Sequence, residues 1–156
     1  MLAYRKATLS DVRDLAELRV AMLCDGTDQT DGFRQTLRNN TERYITMGLS
    51  GGSYVTWVAE DGGLIIAMVG VTFFSLPPND WCPDGKTAYI GNMYTLPEYR
   101  WRGIATRLLE LIVGEATKGG CERILLHTTE MGRPIYEKFG FSDSESAMAY
   151  YPNRRI

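Results

Sequence analysis

The sequence holds one histidine and three cysteines among its 156 residues. A single imidazole excludes a metal centre built on several histidines, and nothing else in the sequence points to a metal. Cys24, Cys82 and Cys121 are odd in number, far apart and without C-x-x-C spacing. Neither a disulfide framework nor a zinc site is expected, and the thiols read as reduced and mostly structural. Long apolar runs are missing as well. Ile65–Val69 and its neighbours fall short of the ~20 residues that a membrane helix needs, and the stretch from Met1 to Asp14 carries charge where a signal peptide needs apolar residues. A cytoplasmic protein with no membrane partner is expected. An excess of positive charge is also absent: 17 Lys and Arg against 19 Asp and Glu leave a formal net charge of −2. That disfavours a basic face spanning the molecule, so nucleic acid is not an expected partner.

What is there is an ordinary globular balance, with 44% hydrophobic and 23% charged residues. No internal repeat or long linker breaks the chain, so one domain over 1–156 is expected. Leu2–Ala7 has the texture of a first strand. Thr8 followed by Asp11 is a capping pattern, and Val12, Leu15, Leu18 and Met22 then recur at helical spacing. A second helix is expected over Phe33–Met47. Tyr54, Val55, Trp57 and Val58 begin a β-rich region. Asp61-Gly62-Gly63 marks a hairpin into Leu64–Phe74, and a loop with Trp81 leads to a strand over Ala88–Thr95. After Pro97 comes an apolar helix with Ile104, Leu108, Leu111 and Ile112 on one side, closed by Gly119-Gly120. Arg123–Thr128 reads as a short strand, Pro134–Phe139 as a helix opened by proline, and Ser146–Tyr151 as a last strand.

The order is β-α-α-β-β-β-α-β-α-β. Hairpins favour antiparallel pairing, while the strand-helix-strand unit over Ala88–Thr128 favours one parallel pair. The fold class expected is α+β: a mixed, mostly antiparallel central sheet with helices on both faces.

The most informative stretch runs from Leu96 to Ala105, LPEYRWRGIA, between a strand and a long helix. Gly103 and Ala105 are small, so the first helical turn is open to a ligand. Its N–H groups lack internal partners and carry partial positive charge. A phosphate placed there accepts several bonds at once, and Arg100 and Arg102 add charge-assisted donors. A packing glycine flanked by solvent-facing arginines is the competing reading. Neither a P-loop nor a dinucleotide fingerprint is present.

The R-x-x-G-x-A pattern at Arg100–Ala105, after a strand ending Met93-Tyr94-Thr95, resembles the acyl-CoA pyrophosphate motif of the GNAT N-acetyltransferases. Pro134–Phe141, PIYEKFGF, resembles that family's late tyrosine motif, and the element order matches its fold. The resemblance spans essentially the whole chain. It implies acetyl-CoA as acyl donor, with CoA as product. The backbone of Met93, Tyr94 and Thr95 would bind the pantetheine arm beside a splayed neighbouring strand. The N–H groups of Arg100, Trp101, Arg102, Gly103, Ile104 and Ala105 would hold the pyrophosphate. Tyr136 corresponds to the tyrosine that protonates the departing thiolate, a role set beside plain packing against Phe139 and Phe141.

The chain departs from the family in lacking a glutamate on the Ala88–Thr95 strand and an asparagine after the next one, where it reads His127-Thr128-Thr129-Glu130. His127 is the first candidate general base and Glu130 the second. A packed histidine and a water chain with no dedicated base stay open. In the loop between the first two helices, Asp25, Asp28 and Asp31 either draw in a cationic amine or serve as caps and turn residues. The function expected is acetyl transfer to a primary amine, most simply of a small molecule, by direct attack on the thioester. A non-catalytic acyl-CoA sensor and a protein or peptide N-acetyltransferase are the alternatives. Members of the family are often dimers, which leaves a homodimer open.

Overall fold

The computed structural model describes residues 1–144 and 148–153. Strand β1 (Leu2–Lys6) leads into helix α1 (Val12–Cys24) through a single 3₁₀ turn over Leu9–Asp11. At this turn the Thr8 N–H donates to the Asp11 carboxylate at 2.7 Å, as the Thr8–Asp11 pattern predicts. Helix α2 spans Asp31–Gly51 and is longer than Phe33–Met47 at both ends. Its start is set by the Thr30 hydroxyl, which accepts from the Phe33 N–H at 3.1 Å, and Gly52 ends it in the left-handed region at φ 76°.

Among the described residues four further strands follow: β2 (Tyr54–Asp61), β3 (Leu64–Ser75), β4 (Lys86–Thr95) and β5 (Arg123–Leu126). Helix α3 (Ile104–Lys118) connects β4 to β5, and helix α4 (Arg133–Phe139) comes after β5. The sheet has the order β1-β2-β3-β4-β5. Every pairing is antiparallel except β4 with β5, which is parallel. The expected mixed, mostly antiparallel sheet and its one parallel pair are both present.

Alternation along β2 and β3 sends side chains to two cores. Ala59, Ile66, Val69 and Val71 face α3, where they pack on Ile104, Leu108, Leu109 and Ile112, with Tyr136 of α4 at the edge. The buried stripe of α3 runs through Leu109, while the predicted Leu111 is only half-buried. Tyr54, Val58, Ile65 and Met68 face the other way, onto Leu15 and Leu18 of α1 and Ile45 of α2. Helices therefore cover both faces of the sheet.

Two expectations are corrected. β5 ends at Leu126, two residues before Thr128, because Leu126 is the last residue paired to β4. Of the last strand expected over Ser146–Tyr151, Ser146 and Ala147 lie outside the described residues, and 148–151 join no strand.

Candidate active site

The site is made by a mismatch in length between two neighbouring strands. The parallel β4–β5 ladder runs from Thr87 opposite Arg123 to Ile90 opposite Leu126 and stops. β4 continues to Thr95, still paired to β3. Over Gly91–Thr95 its other edge has no neighbouring strand among the described residues, so backbone donors and acceptors there are open to an extended ligand.

The same segment contains a β-bulge. Between Met68 opposite Tyr94 and Gly70 opposite Gly91, β4 holds one residue more than β3. Asn92 takes the strain at φ 56°, a region where asparagine is enriched among non-glycine residues. The extra residue shifts the alternation. Ala88 and Ile90 face the α3 core; after the bulge Met93 faces that core and Tyr94 the α1–α2 core.

β4 then runs into the glycine turn. A 3₁₀ turn over Pro97–Tyr99 precedes α3. Trp101 and Gly103 sit in the left-handed region, at φ 65° and 76°. Alternating backbone handedness of this kind points successive N–H groups to one side. The N–H groups of residues 101–106 make no hydrogen bond among the described residues; the first closed bond of the helix is Arg107 N–H to the Gly103 carbonyl, at 3.1 Å. A Cβ on Gly103 would meet no atom of the protein, so the turn is open on that side. Arg100 donates from Nε to the Thr95 carbonyl at 3.0 Å, with its guanidinium over the Tyr94 ring. Arg102 donates to the Glu98 carbonyl at 3.0 Å and lies over Tyr99. Both arginines brace the turn and keep their charge beside it. The Thr95 hydroxyl is buried with no partner among the described residues.

Residues 21–141 match the model of the acetyltransferase (GNAT) family. The chain belongs to the GNAT acetyltransferase family. Its relatives agree in fold and in name. A predicted acetyltransferase from Clostridium acetobutylicum, solved with acetyl-CoA, is 34% identical, with a TM-score of 0.88 over 97% of this chain and 96% of that one. A GCN5-related N-acetyltransferase from Ralstonia eutropha is 28% identical, with a TM-score of 0.85 over 97% and 99% of the two chains. YjgM, an uncharacterized N-acetyltransferase of Escherichia coli, is 27% identical over 92% of this chain and 84% of its own. This GNAT chain is an N-acetyltransferase that uses acetyl-CoA. The open β4 edge and the unbonded N–H groups fit the pantetheine amides and the pyrophosphate of that ligand.

The remaining candidates divide by position. Tyr136 is buried, forms an edge-on contact with Phe141 at 6.0 Å, and its hydroxyl makes no hydrogen bond among the described residues. Burial raises its phenol above the usual 10.0, and the nearby Tyr89 phenol adds a smaller push. His127 is exposed just past β5, and its Nδ1 lies 2.8 Å from the Tyr89 hydroxyl. The Tyr89 ring leans up the strand over Gly91, where a Cβ would sit 3.3 Å from its Cε1. Glu130 is exposed in the turn before α4 and makes no ion pair among the described residues. Asp25 pairs with Arg34 at 3.5 Å, while Asp28 and Asp31 are exposed and make no ion pair among the described residues.

Tyr89, Asn92 and Arg19 also belong to this region, and sequence reasoning did not single them out as site residues. One signal was available: Ala88, Ile90 and Met93 break the period of two, which marks a bulge between them.

Proposed function

We propose that the chain transfers acetyl to the primary amine of a small molecule. The observation that carries this reading is the run of β4 beyond Ile90, unpaired on the β5 side and leading straight into the unbonded N–H groups of residues 101–106. When bound, acetyl-CoA supplies an activated acetyl thioester. Met93, Tyr94 and Thr95 bind its pantetheine arm through their backbone, and the turn from Arg100 to Ala105 holds its pyrophosphate. Fixing both ends of the donor turns a bimolecular encounter into an effectively unimolecular one.

The chemistry needs one proton removed from the attacking nitrogen and one delivered to the sulfur, as the C–N bond forms and the C–S bond breaks. Tyr136 holds the second proton on a phenol that burial keeps neutral. His127 takes the first. When Nδ1–H donates to the Tyr89 oxygen, Nε2 is left as the acceptor. Glu130 lacks such an orienting contact and serves at most as a second acceptor. Asp28 and Asp31, exposed and without an ion pair among the described residues, favour a cationic acceptor near the end of α1.

The test is thiol release from acetyl-CoA over a panel of small amines, for the parent protein and Tyr136→Phe. The expected result is turnover with at least one amine and a loss of roughly 100-fold in kcat for the variant. Unchanged turnover with intact acetyl-CoA binding would remove Tyr136 from the chemistry. Acetylation confined to peptides would replace the small-molecule reading.

A further inference from the structure

Helix α1 turns Leu15 and Leu18 into the core and leaves Arg19 half-buried beside them. The Arg19 guanidinium donates through Nη1 to the Asn92 side-chain oxygen. Asn92 in turn donates from Nδ2 to the Tyr54 hydroxyl at 2.8 Å. Tyr54 is itself only 4% exposed, so the far end of this chain of bonds is anchored in the core. Among the described residues no carboxylate pairs with Arg19, and its Nε and Nη2 donors make no hydrogen bond.

The guanidinium is thus held in place by a neutral amide, with no carboxylate beside it among the described residues. Here the fold fixes the guanidinium through Asn92 and leaves the opposite edge of the fork free. Two parallel N–H donors on that edge match a carboxylate in bidentate geometry. The location is specific as well. Asn92 precedes Met93 at the bulge, within the stretch of β4 that has no strand on its β5 side. Arg19 also lies five residues before Cys24, ~7.5 Å along the helix axis at 1.5 Å per residue, and the acidic loop begins there.

We propose that Arg19 anchors a carboxylate on the acceptor, so that the acceptor class is amino acids and related amino carboxylates. The proposal rests on the reading of the open β4 edge as the acyl-transfer site. Asn92 and Tyr54 act through Arg19 as positioning residues.

The experiment compares free amino acids with their carboxamides, for instance glycine with glycinamide and alanine with alaninamide, alongside 2-aminoethyl phosphate. Each is assayed by thiol release and, separately, by calorimetric binding to the CoA-loaded protein. The proteins are the parent, Arg19→Gln and Arg19→Lys, with acetyl-CoA affinity measured for each. The amine of a carboxamide is the weaker base, so the diagnostic quantity is how the acid-to-amide ratio changes with the variant. In Arg19→Gln that ratio should fall about 10- to 100-fold in kcat/KM and in binding, with acetyl-CoA affinity unchanged. Arg19→Lys should keep part of it, which also guards against a variant that fails to fold.

A ratio unmoved by Arg19→Gln overturns the anchor. So does a stronger response to 2-aminoethyl phosphate than to any amino acid, which would make the site one for phosphate. Arg19-dependent binding of acids without turnover of any amine would sustain the anchor and sink the acyl-transfer reading. Binding of neither acids nor amides sinks the anchor itself.

Discussion

The Tyr89 hydroxyl and His127 Nδ1 stand 2.8 Å apart, which ties the first residue beyond β5 back to β4. The rings are 5.5 Å apart at centroid and tilted by 54°, so the contact is a directed hydrogen bond and not a stack. It fixes the imidazole on the chain's own scaffold, as an oriented base requires. His127→Gln should lower kcat by roughly 100-fold or more, with acetyl-CoA affinity unchanged. Tyr89→Phe should cost less, on the order of 10-fold, because the base persists but its ring is free to turn. Steady-state kinetics with acetyl-CoA titrations on both variants check this. Full activity of His127→Gln would hand the proton to Glu130 or to water.

Gly103 separates two roles of the glycine turn. Its φ of 76° is strained for any side chain, but an added Cβ would touch nothing within the protein. Gly103→Ala should therefore fold with a stability loss of about 1–2 kcal/mol from the left-handed backbone alone. The methyl group would stand in the open space beside the unbonded N–H groups, where the pyrophosphate is proposed to bind. A loss of at least ~10-fold in acetyl-CoA affinity is expected, the cost of about one hydrogen bond to a charged group. Calorimetry and thermal melts in parallel check this. A variant that melts early but binds acetyl-CoA normally would make Gly103 a purely conformational glycine.

How much of this was legible in the sequence follows from the range of each signal. Thr8 with Asp11, the hairpin at Asp61-Gly62-Gly63 and the apolar stripe of α3 are local patterns, and each placed its element. The turn from Arg100 to Ala105 was legible because a helix N-terminus declares its own unpaired N–H groups. The end of β5 at Leu126 was not, because it depends on where its pairing with β4 stops. Arg19, Asn92 and Tyr54 were invisible for the same reason. They are 73 and 38 residues apart along the chain, and only the packing of α1 on the sheet brings them together. The broken alternation between Ile90 and Met93 was the one local trace of that arrangement.

Asp11 supplies a pH prediction independent of catalysis. Arg5 grips it in bidentate fashion, Nη1 to Oδ2 at 2.8 Å and Nη2 to Oδ1 at 2.9 Å. These hydrogen bonds, helped by the Thr8 N–H, outweigh burial and hold its carboxyl down at about 2, against an ordinary 3.8. A carboxylate with a lowered folded-state pKa stabilises the fold fully above its unfolded value. It loses that contribution as pH falls from 3.8 through about 2. At 1.36 kcal/mol for each pKa unit the contribution is about 2 kcal/mol. Asp11→Asn should lower stability near neutral pH by about that amount and flatten the acid limb of the stability curve between pH 4 and 2. Urea titrations across that range check both. An acid limb identical to the parent's would place the proton uptake at other carboxylates.

Gly70 and Tyr54 allow the polar chain behind Arg19 to be tested from its buried end. A Cβ on Gly70 would stand 1.9 Å from the Tyr54 hydroxyl oxygen and 2.4 Å from Cζ, so the phenol lies flat on β3 where only glycine leaves room. Gly70→Ala must displace the hydroxyl that accepts from Asn92, and overpacking of this kind costs about 1–3 kcal/mol. Tyr54→Phe keeps the ring but leaves the Asn92 Nδ2 without its acceptor, at a cost of about 1–3 kcal/mol. Both changes act on the same atom, so they should not add. The double variant should be less destabilised than the sum of the singles, by at least 0.5 kcal/mol in order of magnitude. Both single variants should also weaken acceptor binding while sparing acetyl-CoA, since Asn92 steadies Arg19 and not the glycine turn. Additive losses in stability would mean that the two residues are felt separately, and unchanged acceptor binding in both single variants would mean that the Tyr54 hydroxyl does not reach Arg19 through Asn92.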